Sequence, residues 1–480
     1  MPSGVPDRSG ESTIGFLPIL AANLLPLGGI LFLDWDPGTL ALVYCVEILL
    51  SVLLAGAKAT FAQRPPASAD GGVLSVGSTA LTERRGSVDL LEWLPPVYPR
   101  NLPFAFGVFG GVAWTAIFLF AFLSGFLDPL VALGEPAVLA SIAALVAAQV
   151  GNIAQRYVGR KQYETASPYA VVDTPLRQAF VLVFVLAVVA GAGPTAVLVV
   201  IVLGKIAIEW AGYSGAEEGL LGWLTGPERS EQRTRQDSLD VPDGPPVTAF
   251  RPDRQAVLLT GTLRALVRAP WTLLLLVVVW VVLVGLSGVP FTSPLGIGVA
   301  AVLFGVVLPG TVCRRLLEYY LTYGTMRYQC RDGTLVAYDS LVETPQWAGE
   351  TGTFRNVELR DGYIADRIYD SRTLTLQTVR SEKLRTLAHV AEPDRLIETF
   401  DLPIVRTDLD SMHRGIALLS VTLGVFSTVS GVVLVLAPGT PLGVVPYVAF
   451  LFPVATLLAT ALWKRAYPAD TSELAGVVDR

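Results

Sequence analysis

The chain has 480 residues, of which 52% are hydrophobic and only 16% are charged, and its mean hydropathy is +0.54. An ordinary soluble domain carries about 25% charged residues, so this composition excludes that class and indicates a polytopic membrane protein. Acidic residues exceed basic ones by six, and we expect no nucleic acid among the partners.

Apolar stretches long enough to cross a bilayer, roughly 18 to 25 residues, recur about ten times along the chain. The first is too long for a typical signal-peptide core and follows residues of both charges, so a span is favoured over a cleaved signal. The fifth and seventh are the shortest. The predicted spans are Ile14–Leu33, Thr39–Ala57, Leu102–Phe126, Pro136–Gln155, Leu176–Gly191, Thr195–Trp210, Thr272–Leu286, Pro294–Val312, Arg414–Ala437 and Leu442–Trp463.

Among the loops between predicted spans, lysine and arginine occur in only one set, whereas the opposite loops hold acids, glycine and proline. Positive charges in short loops resist translocation, so the basic loops and both termini are predicted to be cytoplasmic. The predicted location is the cell membrane, and the lipid bilayer is an expected partner. The basic residues are Lys58, Arg64, Arg84, Arg85, Arg100, Arg156, Arg160, Lys161, Arg177, those from Arg229 to Arg268, and Arg314, Arg315 and Arg406.

Lysine is scarce, with five residues against thirty arginines. Together with the acidic surplus this resembles the proteins of salt-loving archaea, although a genome rich in G and C explains the arginine equally well. At such salt concentrations surface charges are screened within about 3 Å, which would weaken any mechanism based on surface charge.

Composition divides the chain into six parts. The sequence GPERSEQRTRQDSLDVPDGPP offers almost nothing apolar to bury, so it is predicted to be a disordered linker. The parts are a cytoplasmic N-terminus (1–13), a six-span membrane domain (14–224), the linker (225–255), a two-span hairpin (256–324), a cytoplasmic domain (325–402), and a second two-span hairpin with a C-terminal tail (403–480).

The segment 325–402 changes from long apolar runs to short alternating ones, which is typical of strands and hairpins. A tight turn is predicted at Arg331–Gly333. Strands are predicted at TLVAYD, FRNVEL, YIADRIY and RTLTLQTV, and EPDRLIETF suits a helix that begins near Pro393. The pattern predicts a small α+β domain.

This segment resembles the bacterial PH-like domain of membrane-flanked proteins, in which helix pairs lead directly into a PH-fold barrel. The resemblance rests on MRYQCRDGTLVAYDS, FRNVELRDGYIADRIYDSRTLTLQT and LAHVAEPDRLIETF. The usual glycine-rich turn is here Asp370-Ser371-Arg372, and the loop Thr344–Thr353 is acidic and loose. Together with the predicted spans, the resemblance implies a polytopic α-helical membrane protein of about ten spans with an inserted α+β PH-like barrel domain.

PH-like barrels bind lipids, bind peptides or serve as scaffolds, so the resemblance implies a fold rather than an activity. A cytoplasmic protein or a lipid headgroup is the expected partner of residues 325–402. Acids nearly match the basic residues of the segment, which favours a solvated surface over a headgroup pocket. Arg314, Arg315, Tyr319 and Tyr320 follow the eighth span as interfacial anchors and would couple the domain rigidly to the membrane.

The N-terminal half, roughly residues 14–224, resembles an uncharacterised family of prokaryotic integral membrane proteins. The resemblance rests on NLLPLGGILFLDWDPGTLALVYCVEILLSVLLAG and LGKIAIEWAGY. It implies architecture and candidate residues, but no activity.

Ionisable residues inside a bilayer are costly unless they are paired or solvated. Glu47 lies eight residues from Thr39 and eleven from Lys58, so at about 1.5 Å per residue it is near mid-membrane. Lys205 is at a similar depth and is expected to pair with Glu47, or with its i+4 neighbour on the same helix. The candidate intramembrane polar site comprises Glu47, Lys205, Glu209, Asn23, Gln149 and Asn152. Helix-packing bonds and a register-fixing ion pair are favoured over a transport path or a proton relay.

Motifs of catalysis and of cofactor or metal binding are absent from the sequence, including HExxH, GxGxxG after a strand, the Walker loop and GxSxG. Cys45, Cys313 and Cys330 have no CxxC spacing, and neither His389 nor His413 has an obvious partner. We therefore expect no enzyme activity, cofactor or metal.

The leading hypothesis is a membrane-embedded scaffold or adaptor whose PH-like domain recruits a protein or senses the cytoplasmic leaflet. The alternative is an ion- or proton-coupled transporter that uses the Glu47 and Lys205 pair. A membrane enzyme that acts on lipids ranks third, and the sequence leaves the oligomeric state open.

Overall fold

The computed structural model describes residues 34–65, 80–125, 127–189, 191–214, 241–288, 290–360, 363–378, 381–404, 412–436 and 445–466, with a few single residues and short pieces besides. Most of the first predicted span, including Asn23, lies outside these residues. The chain divides into two compact units. Unit 1 comprises Met1–Ser78, Asp89–Arg235 and Leu286–Gly288, and unit 2 comprises Thr79–Val88, Gln236–Gly285 and Val289–Arg480.

Unit 1 is helical. Its helices are α1 (Pro37–Phe61), α2 (Leu102–Leu123, preceded by the 3-10 turn Pro99–Asn101), α3 (Pro129–Leu133), α4 (Pro136–Asn152, continued by the π turn Ile153–Val158), α5 (Pro168–Val188) and α6 (Pro194–Ser214). Most of them begin at a proline. Proline has no backbone N–H, but the N–H groups of the first helical turn have no partner within the helix, so no hydrogen bond is lost there. The side chain of Asp36 caps α1 by accepting a 2.6 Å hydrogen bond from the Thr39 backbone N–H.

The C-terminal end of α1 is anchored by side chains from two other segments. The last carbonyls of a helix lack partners within the helix. Here the Tyr157 hydroxyl donates to the Lys58 carbonyl at 2.9 Å, and the Asn101 side chain donates to the Ala62 carbonyl at 2.7 Å. Arg100 donates to the Gln63 carbonyl. These bonds fix the start of α2 and the end of α4 against α1.

Apolar contacts hold α1, α2 and α6 together. Leu42, Leu119, Leu198 and Ile201 are almost fully buried members of one cluster. Gly56 of α1 permits a close approach, because a Cβ atom there would lie 2.9 Å from a methyl carbon of Val108. Apolar side chains of complementary size thus add to the polar bonds that join these helices.

Among the described residues, six helices are long and apolar enough to cross a bilayer, and the protein is accordingly a multi-pass membrane protein. They are Pro37–Phe61, Pro99–Leu123, Pro136–Val158, Pro168–Leu186, Arg254–Gly285 and Gly296–Gly324. Two shorter apolar helices, Pro194–Ile208 and Arg414–Ser427, also fall on predicted spans.

Two of the predicted spans begin too late. Helix α5 begins eight residues before Leu176, so Arg177 belongs to a helix and not to a loop. The helix that contains the seventh predicted span starts at Arg254 rather than at Thr272. Hydropathy marks only the apolar part of a helix, whereas backbone hydrogen bonding continues into polar sequence beyond it.

Unit 2 contains membrane helices and a sheet domain. The helices are α7 (Arg254–Ser287), α8 (Pro294–Val302), α9 (Leu308–Tyr319), α12 (Arg414–Leu436) and α13 (Val445–Ala466), with π turns at Leu303–Val307 and Tyr320–Gly324. The sheet domain consists of β1 (Thr248–Phe250), β2 (Met326–Arg331), β3 (Thr334–Asp339), β4 (Thr344–Glu350), β5 (Phe354–Leu359), α10 (Ile364–Ile368), β6 (Arg372–Thr378), β7 (Ser381–Val390) and α11 (Pro393–Phe400).

The strands form two antiparallel sheets, one of four strands in the order β1-β2-β3-β4 and one of three in the order β5-β6-β7. The predicted tight turn joins β2 and β3, where Asp332 (φ 42°) and Gly333 (φ 71°) both adopt left-handed backbone angles. Described strands do not close into one barrel. Helix α11 ends the domain, as predicted.

Strand β1 corrects the predicted linker 225–255. Residues Thr248–Phe250 pair with β2, with Thr248 opposite Cys330. Phe250 is 4% exposed and its ring lies 6.0 Å from the ring of Phe400. Pairing with β2 and burial of Phe250 order this short strand, although the surrounding composition is polar.

Two further predictions within the sheet domain are wrong. YIADRIY forms the short helix α10 instead of a strand, because a run of this length satisfies both the two-residue and the helical period. The loop predicted to be loose at Thr344–Thr353 contains β4, which pairs along β3 with a bulge between Ala337 and Tyr338.

The two sheets and α11 enclose one apolar core. Its largest fully buried side chains are Tyr328 and Phe400, and Leu335 is also inaccessible. Burying a large apolar side chain contributes about 1.5 to 3 kcal/mol. The core thus gives the sheet domain its own source of stability.

Candidate functional site

Glu47 and Lys205 form the ion pair expected from the sequence. The Lys205 ammonium donates to both carboxylate oxygens of Glu47, at 2.9 Å each. The side chain of Glu47 is 22% exposed and that of Lys205 is 30% exposed. Glu47 is ten residues from the start of α1 and Lys205 is eleven from the start of α6, so both lie near the middle of their helices.

The pair lies beside an aromatic ring and the apolar core of unit 1. The Lys205 ammonium is 5.1 Å from the centre of the Tyr44 ring, a cation–π distance. Cys45, Leu42 and Ile201 belong to the adjoining buried cluster. A mostly apolar setting makes the attraction between opposite charges stronger than in water.

The other predicted members of this site do not gather around the pair. Gln149 is half-buried and Asn152 is exposed on α4, and no described hydrogen bond joins either to Glu47 or Lys205. Glu209 is one turn beyond Lys205 in α6, but its side chain lies outside the described part, as does Asn23. The described site is a single ion pair that links α1 to α6.

A second polar cluster, which the sequence did not predict, is buried in unit 2. His389 and Asp366 are both inaccessible to solvent, and His389 Nδ1 lies 2.5 Å from Asp366 Oδ1. On the other side of the ring, Nε2 lies 2.9 Å from the Tyr319 hydroxyl. Because the carboxylate is an acceptor, Nδ1 carries the hydrogen of the first bond, and Nε2 and the Tyr319 hydroxyl share the second bond.

Further bonds hold this cluster in place. Asp366 also accepts hydrogen bonds from Ser371 at 2.6 Å and from Thr373 at 2.7 Å. The His389 backbone has a φ of 52°, an unusual value for a residue other than glycine. Its carbonyl accepts a 2.7 Å bond from the Asp253 N–H, just before α7 begins.

Arg264 extends the cluster to helix α7. Its guanidinium lies 5.1 Å from the Tyr319 ring centre and 5.3 Å from that of Tyr363, and it donates to the Tyr363 hydroxyl at 2.7 Å. The Tyr363 ring in turn meets His389 edge-on at 5.3 Å. Residues of α7, α9, α10 and β7 are thereby joined in one network.

The network corrects the prediction that His389 has no obvious partner. Asp366 is 23 positions from His389, and Tyr319 is 70 positions away. No local motif contains such a set. The available signal was weak: an isolated histidine between the apolar residues Ala388 and Val390 of a strand.

A buried ion pair fastens the segment 79–88 to the sheet domain. Arg84 and Asp339 form a salt bridge in which both side chains are at most 1% exposed. Arg84 also donates to the Thr325 hydroxyl at 2.6 Å. Burial lowers the pKa of Arg84, although the charge of Asp339 opposes that shift. The side chain of Gln346 bonds both the N–H and the carbonyl of Arg85, at 2.8 and 3.0 Å.

The described residues contain no group of three or more histidine, cysteine, aspartate or glutamate side chains that could hold a metal ion. Three polar groupings stand out among the described residues. These are the Glu47–Lys205 pair, the His389 network and the Arg84–Asp339 pair.

Residues 6–234 match a family of unknown function (DUF6498). The matched range covers the helical half in which the sequence indicated an uncharacterised membrane family. No curated protein and no solved structure matches the chain.

Proposed function

We propose that this protein is a membrane scaffold that holds a PH-like domain at the cytoplasmic leaflet. The observation that carries the proposal is the network of Arg264, Tyr319 and His389, which joins two membrane helices to the sheet domain. A domain on a flexible tether needs no such buried polar contact. Rigid coupling suits a protein that presents a surface at a fixed height above the bilayer.

Several features support the finer parts of this proposal. Sheets of four and three antiparallel strands followed by a helix agree with the PH-like resemblance. The apolar stretches favour about ten spans, and the distribution of lysine and arginine favours cytoplasmic termini. The sheet domain is then cytoplasmic and available to a soluble protein.

The test is affinity purification from native membranes. Full-length protein is compared with a version in which a short glycine-serine linker replaces residues 326–402. A near-stoichiometric partner that is present only with the full-length protein is the expected result. Matched elution of both proteins in gel filtration controls for folding of the membrane part, and identical partner profiles would contradict the scaffold role.

The Glu47–Lys205 pair supports a second candidate, an ion- or proton-coupled transporter. A carboxylate with a lysine counter-ion near the middle of two helices is a common element of proton relays. In that case Glu47→Gln abolishes flux in proteoliposomes while the protein stays folded. If the pair only fixes helix register, Glu47→Gln changes stability and no flux is measurable in either protein.

A further inference from the structure

Three arginines meet where α7 and α9 leave the apolar part of the membrane helices. Arg268 belongs to α7, and Arg314 and Arg315 belong to α9. The guanidinium groups of Arg268 and Arg314 are close enough to repel that of Arg315. Positive charges from two helices thus act on one another across this contact, which has an electrostatic cost.

The packing of the helices explains why these groups meet. At Gly261 of α7, an added Cβ would lie 3.0 Å from Leu316 Cδ1 and 3.2 Å from Tyr319 Cδ1, so the two helices are in close contact there. Arg268 lies two turns further along α7 on the same face. Side chains lean toward the N-terminus of their own helix. Because α7 and α9 run in opposite directions, the side chains of Arg268 and Arg315 lean toward each other.

The acidic residue in this cluster is already engaged. Glu318 accepts a bond from Arg314 at 3.0 Å, one turn earlier on α9. Within the described part of the chain, neither Arg268 nor Arg315 forms an ion pair with a carboxylate. Among the described residues of this cluster, three positive charges lie near one negative charge. Glu318 acts on Arg315 as well as on Arg314, so the cluster keeps a net positive charge.

The position of the cluster indicates what supplies that charge. Arg268 stands directly before the apolar run of α7, and Arg314 and Arg315 follow the apolar run that ends near Val312. Both boundaries face the sheet domain, where lipid phosphates end the hydrocarbon layer. A guanidinium presents paired N–H donors that match two oxygens of one phosphate.

We infer that Arg268 and Arg315 together bind the phosphate of an anionic lipid headgroup, while Glu318 holds Arg314 at the edge of the site. The site belongs to the helices and not to residues 325–402. It is independent of whether the sheet domain recruits a partner. Its expected ligand is a lipid that carries net negative charge, such as phosphatidylglycerol.

Native mass spectrometry of the purified full-length protein tests this site. Phosphatidylglycerol or phosphatidylcholine is titrated into the delipidated protein, and the first bound lipid is quantified. The wild-type protein is expected to bind phosphatidylglycerol about tenfold more tightly, which corresponds to one good charge-assisted contact. The double variant Arg268→Gln with Arg315→Gln is expected to lose this preference.

Arg251 and Arg254 provide the matched control. Both are exposed, and Arg254 is 14 residues before Arg268 on the same helix, about 21 Å further from the apolar run. Arg251→Gln with Arg254→Gln removes the same charge and should keep the lipid preference. Equal losses in the two double variants would overturn the site, because general charge would then explain the preference.

A lysine pair keeps the test decisive if the glutamine variant fails to fold. Arg268→Lys with Arg315→Lys retains the charge but not the paired donors, and we expect a preference between those of the wild type and the glutamine variant. An unchanged preference would overturn the assignment.

Competition with inorganic phosphate distinguishes a lipid headgroup from free phosphate as the ligand. Lipid bound specifically resists millimolar phosphate, whereas full displacement would identify a free-phosphate site and contradict the lipid assignment.

Discussion

The imidazole of His389 lies 2.5 Å from the carboxylate of Asp366, and both side chains are completely buried. The same ring reaches the Tyr319 hydroxyl of a membrane helix. This single histidine therefore connects the interior of the sheet domain to the end of α9. Substitution of His389 would therefore remove contacts in both the sheet domain and α9.

Replacing His389 by alanine should destabilise the sheet domain by about 3 kcal/mol. The substitution leaves a cavity, and the fully buried Asp366 loses its imidazole partner. Hydrogen exchange measured by mass spectrometry on peptides of β6 and β7 reports the loss. His413→Ala is the control, because His413 is exposed, and equal exchange in both variants would refute the structural role of the network.

The Glu47–Lys205 pair should show a coupling energy of about 2 kcal/mol in a double-mutant cycle. Either single variant, Glu47→Gln or Lys205→Met, leaves a charge in a largely apolar setting, whereas the double variant removes both charges. Reversible unfolding by denaturing detergent gives the free energies of unfolding. Strictly additive losses would mean that the two charges do not interact in the membrane.

Breaking the Arg84–Asp339 pair should expose the segment 79–88 to trypsin. Asp339→Asn keeps both Arg84 and Arg85 as cleavage sites but removes a fully buried counter-charge, at a cost of about 3 kcal/mol. Cleavage after these arginines is followed on gels over time. The surface variant Asp370→Asn, at a side chain that is 92% exposed, should remain as resistant as the wild type.

Gly86 tests how closely that segment approaches the strands. It has a φ of 90°, and a Cβ there would lie 2.6 Å from Thr344 Oγ1 and 2.8 Å from Val342 Cβ. Gly86→Ala should cost about 3 kcal/mol, through backbone strain and overpacking combined. Gly352 has a φ of 85° with nothing near its added Cβ, so Gly352→Ala should cost only about 1 kcal/mol. Similar losses of thermal stability would argue against the close contact.

The buried hydroxyl of Tyr328 predicts a loss of stability in alkali. Burial raises the pKa of this tyrosine above its usual value of 10.0, so the folded state keeps a proton that the unfolded state releases. The contribution is complete below about pH 10 and falls above it by about 1.4 kcal/mol per pH unit. Tyr328→Phe should flatten this fall in urea unfolding experiments. Parallel pH profiles of the two proteins would contradict the assignment.

Pattern and spacing were enough to predict the features that depend on neighbouring residues. The turn at Arg331–Gly333, the strand Thr334–Asp339 and the helix from Pro393 follow from local sequence. The contact between Glu47 and Lys205 also followed, because each is a rare charge at matching depth in an apolar helix.

Features that depend on distant residues were not predictable in this way. Strand β1 is three residues long in a polar segment, and only its pairing with β2 reveals it. The partners of His389 come from separate elements, so no spacing identifies them. Arg84 was interpreted as a loop charge that marks topology, while its buried bond to Asp339 spans 255 positions.

Three stretches of chain, which lie before α2, before α7 and after α9, together complete the sheet domain. Residues 79–88 are made early in synthesis, yet Asp339 emerges only after the α7–α9 hairpin has been translated. Until then Leu81 and Arg84 have nothing to bury them. The sheet domain can therefore be completed only after the α7–α9 hairpin has been synthesised, although its first segment precedes α2 in the chain.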